Sequence, residues 1–370
     1  MSQTRNIGID LLRLVLMALI ILGHLFAHTQ VRTAFPILSL PGAWCWGWQT
    51  ICLCAVDCFV LITGYFMFRA QWKLSHLLKL WLNIWVYAVG IGCAFTLAGK
   101  TSLTPFTLLD MFLPVLRRVW WFMSMYVLLY LFIPFLNQGL RQLTRQQFTY
   151  LAMGIVLVFY VSPLFAFFFP PYDPTEGMGI IGFVTLYILG AYLAAQNLSL
   201  SWKKCLTGLL INNVCIFASK VLLQHITEIY HLSVGTGLLY HYNTIFELFN
   251  AILLLLLFKQ IPWTHGAKWI VGSASSVFAV YLLHEHPLVR EGLWQNGLSP
   301  FLQQLSFTQF ALLTCALPLA VLGAGIVIDK LFHYVLLDPI FRSKLWKNLV
   351  TQSKRADELL SPAEDVCQTR

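Results

Sequence analysis

The chain contains the run Asn6-Ile7-Gly8-Ile9-Asp10-Leu11-Leu12-Arg13, which continues apolar and closes Leu22-Gly23-His24-Leu25-Phe26-Ala27-His28. Arg13 and His24 are eleven residues apart. At about 100° per residue this is three helical turns plus roughly 20°, so both side chains project from one face, about 16 Å apart along the axis. Asp10 and His28 lie three and four residues beyond them and extend the same stripe. One element thus offers a guanidinium suited to phosphate and, further along, an imidazole able to act as general base. The plainer readings are an arginine that snorkels to headgroups and an interfacial histidine without a role.

Two further groups carry polar chemistry. Asp57-Cys58-Phe59-Val60-Leu61-Ile62-Thr63-Gly64-Tyr65-Phe66 is followed by Arg69, Lys73 and Lys79. These cations, with Arg13, could hold phosphates, or could simply anchor the chain at a membrane surface. The second group is Tyr240-His241-Tyr242-Asn243 with Glu247, and Tyr281-Leu282-Leu283-His284-Glu285-His286-Pro287. Histidine and glutamate there could position and deprotonate a hydroxyl, or could be a polar cap on two helix ends. Cys45, Cys52, Cys54 and Cys58 form no compact Cys-x-x-Cys pair. They read as small packing residues, and no metal site is expected.

The elements that position these residues must be membrane helices. Of 370 residues, 58% are hydrophobic and 11% charged, with a mean hydropathy of +0.72. So few charges cannot cover a soluble protein of this size, and the chain is too apolar for disorder. Ten segments approach or exceed the ~20 residues needed to span a bilayer: 7–28, 44–67, 75–98, 119–138, 148–168, 179–196, 205–224, 240–258, 268–286 and 307–336. The expected fold is therefore an all-α polytopic bundle, with residues 1–338 as the transmembrane domain and 339–370 as a flexible, basic cytoplasmic tail. The connectors leave no room for a soluble catalytic domain. Arg13 and His24 interrupt the first apolar run and no small-residue cleavage site follows, so it reads as a retained helix.

With the N-terminus in the cytoplasm, fifteen Lys and Arg residues fall on the inner side and five on the outer. That split favours both termini inside. The acidic loop from Pro170 to Glu176 falls outside, as the rule prefers, whereas the outer pair Arg117-Arg118 runs against it. The net charge of +9 thus reflects topology, and no nucleic-acid partner is expected.

Arg13 and His24, in the frame Arg5-Asn6-x-x-Ile9-Asp10-x-Leu12-Arg13, resemble the integral membrane acyltransferase 3 family, as does Asp57–Phe66. Trp120-Trp121-Phe122 with Tyr126, Leu129-Tyr130-Leu131 and Pro134-Phe135-Leu136-Asn137 resemble its fourth-helix segment, and Val280–Pro287 its late motif. Thr63 stands where the family more often has Ser, and Lys73 where it often has Arg.

The resemblance implies a ten-helix enzyme of the bacterial inner membrane. It would move an acyl group, usually acetyl, from cytoplasmic acyl-CoA to a hydroxyl of a surface polysaccharide or lipid-linked glycan. Acetyl-CoA would be a co-substrate, with no tightly bound cofactor. Arg13 and His24 would be the essential pair, with Glu285 or a neighbour orienting the imidazole. Arg13, Thr63, Arg69 and Lys73 would meet the CoA, and Tyr126, Asn243 and His284 the acceptor. Arg13 has two possible roles, binding phosphate or holding the helix through Asp10.

Two other classes compete with this reading. A glycolipid transporter would show paired repeats and discontinuous helices meeting at the midplane. A non-catalytic scaffold would leave the alignment of Arg13 with His24 unexplained.

Overall fold

The computed structural model describes residues 5–165, 172–231, 237–262 and 266–360. Pro170 and Pro171 of the acidic loop, and the tail from residue 361 through Arg370, lie outside the described residues. Within them the chain is helical, with no strand. The elements used below are α1 (Ile7–His28), α2 (Leu40–Cys52), α3 (Cys54–Met67), α4 (Leu74–Leu97), α5 (Pro105–Phe112), α6 (Trp121–Leu140) and α7 (Arg145–Ile155). They continue with α8 (Ile180–Gln196), α9 (Trp202–Tyr230), α10 (Ile245–Lys259), α11 (Ala267–Ala274), α12 (Val277–His284), α13 (Phe307–Phe332) and α14 (Lys344–Leu360).

Among the described residues, seven helical stretches are long and apolar enough to cross a membrane, including Ile7–His28, Leu40–Met67 and Phe307–Arg342. The chain is a multi-pass membrane protein. The segments expected at 179–196, 240–258 and 268–286 are present as shorter helices. Tyr240–Asn243 forms a turn instead of joining the helix, because Thr244 caps α10 by accepting the amide N–H of Glu247. The segment around 268–286 is broken between α11 and α12, where Ser275 and Ser276 close tight turns onto Val271 and Ser273.

The α1 helix lies in the middle of the bundle. It packs against α2, α3, α10, α11, α12 and α13, and Leu12, Leu16, Ile21, Leu25 and Phe26 are fully buried. A helix surrounded on most sides can keep a polar stripe only where its neighbours leave a cavity, because polar groups against hydrocarbon are costly. The contacts between α3 and α8 are closer still. A Cβ on Gly64 would stand 2.2 Å from the carbonyl oxygen of Tyr187, and one on Gly190 2.3 Å from that of Leu61. Glycine on both sides lets the two backbones touch.

The segment expected as a flexible tail is helical over Lys344–Leu360 and packs against α4. Asp357 accepts the amide N–H of Leu74 at 2.6 Å, so this helix caps the start of α4, whose own N-cap Lys73 has no side-chain acceptor.

Candidate functional site

A cavity of about 400 Å³ runs along α1, within the size range of small-molecule sites. Arg13, Met17, Ile20 and His24 line it, a spacing of four, three and four residues that marks one helical face. The opposite walls carry Phe59 and Thr63 of α3, Phe122 and Tyr126 of α6, and Tyr281 of α12. Arg13 and His24 therefore face the same space from different depths.

At the His24 level five basic or acidic groups converge. His24 Nδ1 lies 3.1 Å from Glu285 Oε2 and 3.1 Å from His284 Nε2. His28 Nε2 is 3.0 Å from the same carboxylate oxygen, and Arg290 Nη1 reaches Glu285 Oε1 at 3.3 Å. One contact orders the donors and acceptors of this cluster when its histidines are neutral. His284 Nδ1 is 2.7 Å from the carbonyl oxygen of Val280, and a carbonyl only accepts, so Nδ1 carries the hydrogen. In neutral His284, Nε2 is then an acceptor, and the Glu285 carboxylate is an acceptor as well. With His24 neutral as well, the hydrogen of the bond to His284 Nε2 must come from His24 Nδ1, which the Glu285 carboxylate faces. By elimination, Nε2 of His24 holds the free lone pair, on a ring that lines the cavity.

The break after α12 makes this arrangement possible. Glu285 follows the last helical residue, and Pro287 begins a new turn whose first N–H, that of Leu288, is accepted by His286 Nδ1. The chain turns there, so His284 and Glu285, adjacent in sequence, approach the same His24 nitrogen from two directions. Ligand atoms of His24, His284 and Glu285 also lie within 4.8 Å of one another, a spacing that a divalent ion could bridge. Elemental analysis of the purified protein distinguishes that arrangement from the hydrogen-bonded one.

At the Arg13 level the carboxylate of Asp10 is buried between two arginines, 2.8 Å from Arg13 Nη1 and 2.5 Å from Arg5 Nε. Arg5 and Arg13 both line the cavity. Near them Tyr87 donates to Asp329 Oδ1 at 2.7 Å, with His333 Nε2 3.7 Å from the same oxygen. Asn83 adds a buried amide oxygen with no partner. Asn83, Tyr87, Asp329 and His333 were not singled out from the sequence. The available signal was Asp329 itself, an ionisable residue inside a long apolar run.

The remaining expected residues divide. Thr63 and Tyr126 meet midway along the cavity, their hydroxyls 3.3 Å apart. Arg69 donates to the carbonyl of Ala194 at the end of α8, and Lys73 is an exposed N-cap; neither lines the cavity. Asn243 is buried outside the cavity wall. Glu247 is fully buried and neither of its oxygens has a partner, so it does not join the His24 cluster.

Residues 6–329 match a family model described as an acyltransferase domain. No curated protein and no solved structure matches the chain. The matched region contains Arg13, His24, His284 and Glu285, and the chain belongs to the integral membrane acyltransferase 3 family.

Proposed function

We propose that this acyltransferase moves an acetyl group from acetyl-CoA to a hydroxyl of a cell-surface carbohydrate, with His24 as general base. The observation that carries the reading is the pair of contacts at His24 Nδ1, 3.1 Å from both His284 Nε2 and Glu285 Oε2, which in the neutral ring leaves Nε2 as the acceptor on a cavity-lining side chain. The acceptor hydroxyl gives its proton to His24 Nε2 as its oxygen attacks the thioester carbonyl carbon. Collapse of the tetrahedral intermediate breaks the C–S bond, and the imidazolium returns the proton to the departing thiolate. Glu285 supports the transient positive charge on the ring, as an orienting carboxylate does in other His-centred sites.

In this reading the phosphates of CoA sit toward Arg5 and Arg13 on the cytoplasmic side, and the thin pantetheine arm follows the α1 stripe toward His24. The protein works in the bacterial inner membrane with both termini inside, as the distribution of its basic residues favours.

The test is the O-acetyl content of the host's surface glycans in a deletion strain, complemented with the wild-type chain or an equally expressed His24→Ala. Acetylation should return with wild type alone. Restoration by both chains removes His24 as the base. A glycan that keeps its acetyl groups in the deletion strain removes the proposed activity.

A further inference from the structure

A second cavity, of about 300 Å³, opens beside the His24 cluster. Its walls include Asp110, Arg117, Arg118, Trp120, Glu285 and Arg290. Trp121 and Tyr281 line this cavity and the long one alike, so the two spaces share a wall at the level of the proposed base.

Three guanidinium groups face two carboxylates here. Arg117 Nε contacts Asp110 at 2.9 Å, and Arg290 Nη1 contacts Glu285 at 3.3 Å. Each of these pairs uses a single guanidinium nitrogen, so most of both donor forks remains available. Arg118 has no ion pair among the described residues, and its backbone is left-handed at φ +53°. An arginine held in a conformation that favours glycine is better explained by what its side chain must reach than by the turn itself. Trp120 adds an indole N–H that is buried, with the residue 1% exposed, and has no acceptor. Among the described residues the cavity's charged side chains therefore sum to one excess positive charge, with several unused donors, the Trp120 indole and the unpartnered Tyr281 hydroxyl among them. The pair Arg117-Arg118 is also the part of the sequence that resists the positive-inside rule.

We propose that this cavity is an anion subsite for the acceptor: it holds a phosphate or carboxylate carried by the molecule whose hydroxyl meets His24. The inference rests on the acetyl-transfer reading and narrows its substrate class from carbohydrates in general to acidic ones. The acid could be the diphosphate of a lipid-linked sugar or a carboxylate or phosphate on the sugar itself, and both present the oxygens that arginine forks fit.

The full-length protein in proteoliposomes tests this with four acceptors: methyl glucoside, methyl glucuronide, glucose 1-phosphate and a polyprenyl-diphosphate glucose. Wild type should acetylate at least one acidic acceptor with a kcat/KM about tenfold or more above the neutral glucoside, the gain expected from one charge-assisted contact. Arg118→Glu should abolish that preference while leaving the KM for acetyl-CoA and the rate on methyl glucoside unchanged. Arg118→Gly, which suits the left-handed backbone, should do the same and controls for misfolding. Preference for the polyprenyl-diphosphate sugar alone assigns the acid to the lipid link; preference for the two soluble acids assigns it to the sugar.

Equal use of neutral and acidic acceptors, or an effect of Arg118→Glu on the KM for acetyl-CoA instead, overturns the subsite and leaves the acetyl-transfer reading standing. A readout without turnover separates the two failures: glucose 1-phosphate should raise the melting temperature of wild type but not of Arg118→Glu. If transfer to every acceptor fails while this shift persists, the transfer reading falls and the anion site remains. No shift with either acidic sugar or with the lipid-linked one overturns the site.

Discussion

The two ends of the cavity are built on the same plan with different side chains. At one end a buried carboxylate, Asp10, is held by Arg5 and Arg13. At the other a buried carboxylate, Glu285, is held by His24, His28 and Arg290. Arginine stays protonated throughout the physiological range, so the Asp10 clamp is a fixed charge that can bind and orient but cannot exchange a proton. An imidazole can take up a proton and give it back, so the Glu285 clamp can do what the Asp10 clamp cannot. Burial of a carboxylate between basic groups therefore does not by itself define a catalytic centre. The protonation chemistry of its partners does.

This contrast can be broken experimentally. The largest effect should come from His24→Ala, which removes the free lone pair and should lower kcat about a thousandfold in transfer from radiolabelled acetyl-CoA. A loss of less than tenfold would show that the imidazole is not the base. Next comes Glu285→Gln, which keeps the shape and removes the charge. It should reduce kcat about a hundredfold with little change in either KM, because the carboxylate supports the ring as charge develops.

The matched edit at the other end is Arg13→Lys, which keeps the charge and loses the fork. It should raise the KM for acetyl-CoA about tenfold with kcat nearly constant. An unchanged KM with a lower melting temperature would instead assign Arg13 to holding α1 through Asp10. Asp10→Asn should cost stability of about 1–2 kcal/mol, discounted because both arginines are partly exposed, and leave kcat within a few-fold. If Asp10→Asn and Glu285→Gln harm turnover equally, the distinction between the two ends fails. The smallest effect, about threefold in kcat, is expected for His28→Gln, because Glu285 keeps His24 and Arg290 as partners.

Much of this site was legible in the sequence, for a definite reason. Arg13, Met17, Ile20 and His24 share one helix, and a helix fixes the relation of its own residues through its period. Thr63 and Tyr126 were also reachable, as polar groups inside apolar runs. What could not be read was how the helices turn relative to one another. Rotation of the chain about α3 and α8 sends Arg69 to the carbonyl of Ala194 rather than into the cavity, and the turn before α10 leaves Asn243 outside the wall. The break at Ser275 and Ser276 has little sequence signature because serine is tolerated inside membrane helices, where its hydroxyl satisfies freed backbone groups. The helical tail was missed for a related reason. Its basic residues suggested solvent, whereas its register lets Asp357 reach the start of α4.

The glycine seam between α3 and α8 has a mechanical consequence. Where two backbones touch, no side chains remain to change rotamer, so that wall is close to incompressible. It is therefore the rigid side of the cavity, so any change in the cavity's width would have to come from the facing wall. That wall includes α11 and α12, already interrupted at Ser275 and Ser276 and carrying Tyr281 and His284. Displacing α12 moves His284 relative to His24 and resets the hydrogen bond that leaves Nε2 bare. The cavity thus lies between a fixed wall that carries Phe59 and Thr63 and a segmented one whose last helix sets the partner of His24.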